Sequence, residues 1–201
     1  MNNKTGLANC YKIIKESYGT TRTARSGVPL INHIDEGLEI LEALGACSYT
    51  KAAYCLHPLL QNDEDLGKSL ISEWINDVPA KVLILAMEYR KTANAYLCRE
   101  NTDSYTPSDV PEIPVREVGH MLVADKIQNQ KDFHLYHFGT HDRSDQLTNY
   151  FKNWVSALAQ RGFTENLDHS KLPESYGESL AELDCISDTF EDLFKGIRGL
   201  L

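Results

Sequence analysis

The sequence predicts an all-α protein, and three observations carry that expectation. Apolar side chains recur at steps of three and four along most of the 201 residues. No stretch alternates apolar and polar residues for long enough to read as a convincing strand, and no internal repeat is present. Gly and Pro fall between the periodic stretches, where they act as punctuation.

Taken in order, Leu7, Tyr11, Ile14 and Tyr18 give residues 6–18 one amphipathic face. Residues 19–29, with Gly19, Gly27 and Pro29, read as a loop carrying Arg22 and Arg25. Such a loop could embrace a phosphate or stack on a base, although a solvated connector is the commoner case. A second helix over 30–44 carries the stripe Leu30, Ile34, Leu38, Leu41 and Leu44 and is closed by Gly45. His33 stands beside that stripe and can face inward with it.

The third helix, 50–60, is apolar through Cys55 and Leu56 and turns polar after His57. Asp65 is placed to cap a fourth helix over 66–76, with Leu66, Leu70, Ile71 and Trp74. Pro79 suits the first turn of an apolar helix running to Leu97. Three prolines in 99–114 predict a surface loop or mobile flap. Helices follow over 115–133, 143–161 and 178–196. Asp125 and Asn129, four apart, share a helix face.

Length fits one domain, and 42% hydrophobic residues suffice for a substantial core. No apolar run reaches 18 residues, and the N-terminus lacks an apolar signal region, so a cytoplasmic protein with no membrane partner is expected. Net charge is −9 with no basic cluster longer than a pair, which disfavours binding to duplex nucleic acid. Cys10, Cys47, Cys55, Cys98 and Cys185 form an odd set without a Cys-x-x-Cys pair, as expected of reduced thiols.

Strong chemical signatures are absent: there is no G-x-x-x-x-G-K-[ST], G-x-G-x-x-G or G-x-S-x-G. His134-x-x-His137-x-x-x-His141 has ligand-like spacing, but Gly139 interrupts the helix that would align the three rings. A more promising set is spread over three helices: His33, His57, Asp125 and Asn129. Two imidazoles and a carboxylate form a known facial set for a divalent ion.

Three segments carry a family resemblance. Arg25-Ser-Gly-Val-Pro-Leu-Ile-Asn-His33 is similar to the R-x-S-G-x-P-Y-x-x-H motif of the HD-domain alarmone hydrolases, the hydrolase domain of RelA/SpoT proteins and the small metazoan SpoT homologues. Ala52-Ala-Tyr-Cys-Leu-His57 resembles their A-A-L-L-H-D helix, and Leu122-Val-Ala-Asp125-Lys-Ile-Gln-Asn129-Gln-Lys131-Asp-Phe their L-A-D-K/R-L-x-N-x-R-D/T-L. The helix with Tyr150-Phe151 is similar to the one that follows in the small homologues. The likeness spans roughly residues 6–160, leaving 161–201 as a C-terminal helical extension of a single HD-type helical bundle.

The resemblance implies a Mn²⁺ site with His33, His57 and Asp125 as ligands, and cleavage of the 3′-pyrophosphate of ppGpp. It makes Asn129 a nucleotide contact, sets Arg25 at the base or a phosphate, and puts Lys131 at a family arginine, with Arg22 as a further basic candidate. Three positions depart from the pattern. Pro58 replaces the H-D aspartate, Gln61 the catalytic glutamate and Asn62 the aspartate after it. Loss of a general base is typically worth ~10²–10⁴ in rate. Deleting carboxylates also favours a polyanionic ligand in a site without metal.

Three functions follow. The leading one is a pseudoenzyme that binds or sequesters a phosphorylated nucleotide, a guanosine polyphosphate or a relative, with hydrolysis weakened or lost. The second is an active metal-dependent (pyro)phosphohydrolase in which Asp63 or Glu64 replaces the missing base. The third is a protein-binding helical module with a vestigial pocket. Homo-oligomerisation stays open.

Overall fold

The computed structural model describes residues 6–24, 26–97, 105–140, 142–177 and 179–184. Among the described residues the fold is carried by α1 (Leu7–Tyr18), α2 (Ile31–Ala43), α3 (Ser48–Gln61), α4 (Asp63–Leu70), α5 (Ala80–Ala95), α6 (Arg116–Tyr136) and α7 (Ser144–Gln160). Short 3₁₀ turns lie between and after them, and residues 179–184 are helical. Among the described residues there is no strand, only an isolated antiparallel bridge from Arg22 to Pro29. The all-α expectation holds.

Helix α3 is the hub. It packs against α1, α2, α4, α5 and α6. Its residues Ala52 and Ala53, both fully buried, let neighbours approach closely, while Tyr54, Leu56 and Leu60 fill the space between them. Helix α6 is the second central element, with every residue from Val118 to Gln128 buried. A helix covered on all sides shows little amphipathic stripe, and its polar side chains must find partners inside the protein. Those partners build the site described below.

Two close approaches set helix spacing. A Cβ on Gly37 would lie 2.1 Å from the Tyr54 hydroxyl and 2.2 Å from its ring. The bare backbone of α2 thereby admits Tyr54, whose hydroxyl donates to the His33 carbonyl at 3.3 Å. A Cβ on Gly119 would likewise meet the Phe163 ring at 2.2 Å.

Several boundaries differ from the sequence expectation. The fourth helix begins at Asp63, not Leu66, because Asn62 is the cap: its side-chain oxygen accepts the Asp65 N–H at 2.8 Å. Asp65 therefore lies inside the first turn. The helix stops at Leu70, and Glu73–Asp77 forms a separate 3₁₀ turn. The segment expected to be a flap is fastened where it is described. Arg161 donates to the Val110 and Pro111 carbonyls at 2.7 and 2.6 Å, Asn153 donates to the Tyr105 carbonyl at 2.8 Å, and Val110 is buried. Of the closing helix expected over 178–196, residues 178 and 185–196 lie outside the described residues, as do Arg25, Cys98, His141 and Cys185. Cys10, Cys47 and Cys55 are free thiols. No helix among the described residues is long and apolar enough to cross a membrane.

Gly37→Ala should destabilise the fold by about 1–3 kcal/mol through overpacking against Tyr54. Gly67→Ala, in α4 with open space around the added methyl, should be neutral or stabilise by up to ~1 kcal/mol. Urea unfolding of the pair measures both; equal midpoints would remove the close-approach argument.

Candidate metal centre

Three helices converge on one point. His33 comes from the first turn of α2, His57 from the last turn of α3 and Asp125 from the middle of α6. Nε2 of His33 lies 3.2 Å from Nε2 of His57, and the Asp125 Oδ1 lies 3.5 Å from the first and 3.7 Å from the second. One ligand atom from each residue falls within 4.8 Å of the others, so the group could hold a metal ion.

The decisive point is where the protons are. His57 Nδ1 lies 2.6 Å from the Tyr54 carbonyl, which can only accept, so Nδ1 carries the proton and Nε2 of the neutral ring is bare. Pro58 has no N–H to give to the carbonyl four residues back, which is that of Tyr54. The proline thus leaves this carbonyl free for the imidazole. His33 Nδ1 lies 2.6 Å from the Gln128 Oε1. The Gln128 amide cannot be turned over, because its nitrogen donates to the Glu36 and Asp132 carboxylates at 2.9 and 2.8 Å. In the neutral ring the His33 proton is therefore on Nδ1 as well. With both rings neutral, two imidazole lone pairs and a carboxylate oxygen face one another with no proton among them. Donor type and donor state both fit a divalent cation.

The surroundings favour a neutral His57 and an ionised Asp125. Burial pushes the His57 ring down to about 3, so it is neutral at pH 7. Burial works to raise the Asp125 carboxyl, but the Lys126 ammonium outweighs it and holds the group well below the usual carboxylate range. Lys126 Nζ lies 2.7 Å from the Asp125 Oδ2 and donates to the Tyr150 hydroxyl at 3.3 Å. It also lies 5.1 Å from the Trp154 ring centroid, so α7 supplies an aromatic wall for a buried cation. Burial lowers this amine, and Asp125 with Tyr150 more than reverses the effect. Asn129 donates to Asp125 Oδ1 at 2.8 Å. Tyr89 of α5 packs its ring 4.7 Å from the His57 ring, and its buried hydroxyl has no hydrogen-bond partner.

A cavity of about 350 Å³ opens over this centre. It is lined by Thr23, Val28 and Pro29 of the first loop, by His57, Pro58 and Gln61 of α3, and by residues of α6 from Asp125 to Asp132. Its volume lies at the small end of the range for small-molecule sites. Among the described residues its wall carries two carboxylates, Asp125 and Asp132, and one ammonium, Lys126.

The remaining sequence candidates divide. Gln61 and Asn129 line the cavity. Asn62 caps α4 outside it. Asp63, 94% exposed at its side chain, pairs with Arg90, and Glu64 pairs with Lys68 at 2.7 Å; neither lines the cavity. Arg22 donates to the Gly27 carbonyl at 2.7 Å within its own loop and is absent from the wall. Lys131 is buried and paired to Glu36 at 2.6 Å and Asp132 at 3.0 Å, beside a second cavity of about 470 Å³. His134 lines that second cavity, and neither it nor His137 joins a metal-type grouping among the described residues. Sequence reasoning missed Lys126, Gln128 and Tyr89. The available signal was the run Asp-Lys-Ile-Gln-Asn-Gln-Lys-Asp inside an otherwise covered helix.

Comparison of the chain with protein-family models, with curated proteins and with solved structures returned no match.

The pKa shifts give a pH prediction for metal-free protein. An unfolded histidine titrates near ~6.5, and His57 in the fold near about 3. Between these values the unfolded chain binds a proton that the native chain does not, so stability rises with pH there. This contribution is complete above about 6.5 and is lost as pH falls toward 3, on the order of a few kcal/mol. Asp125 adds a loss of the same sign that starts below about 4. Denaturant unfolding across this range should show the decline, and His57→Gln should flatten its upper part. A wild-type profile flat from pH 6.5 to 4 would refute the buried neutral ring.

Proposed function

We propose that the protein binds a phosphorylated nucleotide through a divalent ion held by His33, His57 and Asp125, with hydrolysis weak or absent. The observation that carries this reading is the convergence of three unprotonated donor atoms at the base of a cavity. A bound ion would supply the positive charge that such a cavity needs to attract phosphate. The family resemblance in the motifs around Arg25–His33, Ala52–His57 and Leu122–Phe133 suggests a guanosine polyphosphate as ligand and Mn²⁺ as ion.

The chain's own residues have separable tasks in this reading. Asn129 and Lys126 orient Asp125 from opposite oxygens, Asn129 on Oδ1 and Lys126 on Oδ2. Lys126 also presents a cation at the wall for a phosphate oxygen. Gln61 offers an amide at the cavity edge, able to hold water or a hydroxyl but unable to take a proton from it. Asp63 and Glu64, the replacement bases an active hydrolase would need, are engaged with Arg90 and Lys68 away from the wall. That placement favours binding over turnover. It also orders the events: the wall has more carboxylate than ammonium, so the nucleotide follows the ion.

Calorimetric titration of metal-stripped protein with Mn²⁺, then with ppGpp, tests this reading. One equivalent of ion should bind, the nucleotide should bind only after it, and Asp125→Ala should lose both. Equal nucleotide binding in excess chelator would end the metal-bridged reading, and rapid wild-type turnover would end the claim of weak hydrolysis. Restoring carboxylates with Pro58→Asp and Gln61→Glu should raise turnover by roughly 10²–10⁴, the usual worth of a general base.

A further inference from the structure

The metal centre depends on which nitrogen of each imidazole carries a proton, and the two rings are controlled differently. His57 is held by a backbone carbonyl of its own helix. His33 is held by a side chain on another helix, and that side chain stands in a layer of its own. We propose that Gln128 is the positioning residue that keeps His33 in the tautomer with a bare Nε2, and that Glu36, Asp132 and Lys131 form the outer layer that keeps Gln128 in place.

A neutral amide presents either its oxygen or its nitrogen to a neighbour, and the two choices demand opposite tautomers of a facing imidazole. At Gln128 two carboxylate acceptors, Glu36 from α2 and Asp132 one turn along α6, take the amide nitrogen. Only Oε1 is left for His33 Nδ1. Turning the amide over would put its oxygen against two carboxylates and its N–H₂ against the ring. His33 would then have to accept at Nδ1 and carry its proton on Nε2, aimed at His57 and Asp125. That state cannot ligate through Nε2.

The two carboxylates need a counter-charge, and Lys131 supplies it, at 2.6 Å from Glu36 and 3.0 Å from Asp132. Gln128 is fully buried and Lys131 nearly so, while the Glu36 and Asp132 carboxylates are partly exposed. The resemblance had assigned Lys131 to a nucleotide. Its geometry instead ties it, through Glu36 and Gln128, to a metal ligand. This inference rests on the metal reading for its consequence, while the tautomer itself is a property of the metal-free protein.

Nitrogen-15 NMR of the imidazoles in metal-free wild-type protein at pH 8 is the direct test. Both His33 and His57 should show a protonated Nδ1 and a bare Nε2; a protonated Nε2 on His33 would overturn the proposal without any variant. Gln128→Leu removes the acceptor. His33 should then shift toward the Nε2–H form while His57, held by Tyr54, stays unchanged and acts as internal control. Mn²⁺ affinity by chelator competition should fall 10–100-fold, the usual effect of losing a partner that orients a ligand. Lys131→Met, which leaves Gln128 itself in place, should give a smaller shift in the same direction and serves if the leucine variant does not fold. An unchanged His33 tautomer in a folded variant would overturn the assignment. Wild-type protein that binds no metal yet shows the expected tautomers would instead remove the metal reading and leave the positioning role of Gln128 standing.

Discussion

Three acceptor atoms that face one another in a buried place, with no proton shared among them, are the constraint on which the rest of this structure depends. Such an arrangement is unfavourable by itself, since lone pairs and a carboxylate charge repel in low dielectric. The fold holds it together from behind. Each acceptor belongs to a group whose far side is engaged: His57 by Tyr54, His33 by Gln128 and Asp125 by Lys126. These far-side bonds require α3 and α6 to run through the interior, because only a helix surrounded by others can present polar groups to partners on several sides. The aromatic face of α7 then closes over Lys126, with Tyr150 and Trp154 supplying both surface and electron-rich rings.

The helices were legible because most of them have one wet face and one dry face. Periodicity placed α1, α2 and α7 within a residue or two of where they stand. The errors arose where local hydrogen bonds decide a boundary. Asn62 and Asp65 are both good caps, and only the bond from the Asp65 amide to the Asn62 side chain chooses between them. The three ligand positions were legible as residue types on separate helices, while their convergence is tertiary and needed coordinates. Lys131 shows the limit of reading a polar residue by its type. A lysine near a proposed phosphate site looks like a ligand contact, but inside a helix covered on all sides its charge is claimed by Glu36 and Asp132. For the same reason the central run of α6 concealed Lys126 and Gln128.

Pro58 changes meaning between sequence and structure. As a departure from the H-D pair it is a missing ligand. As a residue inside α3 it is a backbone donor removed one turn above the Tyr54 carbonyl, at the position where His57 needs an acceptor. The proline supplies no ligand atom of its own to the candidate metal group, and it leaves one imidazole of that group oriented by a backbone carbonyl.

The acidic run after Gln61 completes the argument about chemistry. Asp63, Glu64 and Asp65 occupy the first turn of α4, where negative charge is favourable at the exposed helix N-terminus. Asn62 caps the same turn, and Asp63 joins it to α5 through Arg90. To serve as a base in the cavity, one of these acids would have to leave its structural partner and turn against the helix that it starts. Gln61, the neighbour that does reach the cavity, has the hydrogen-bonding shape of an acid without its basicity. The division is thus set by helix geometry: the residue on the α3 side of the break lines the cavity and is neutral, and the charged residues on the α4 side stabilise a helix.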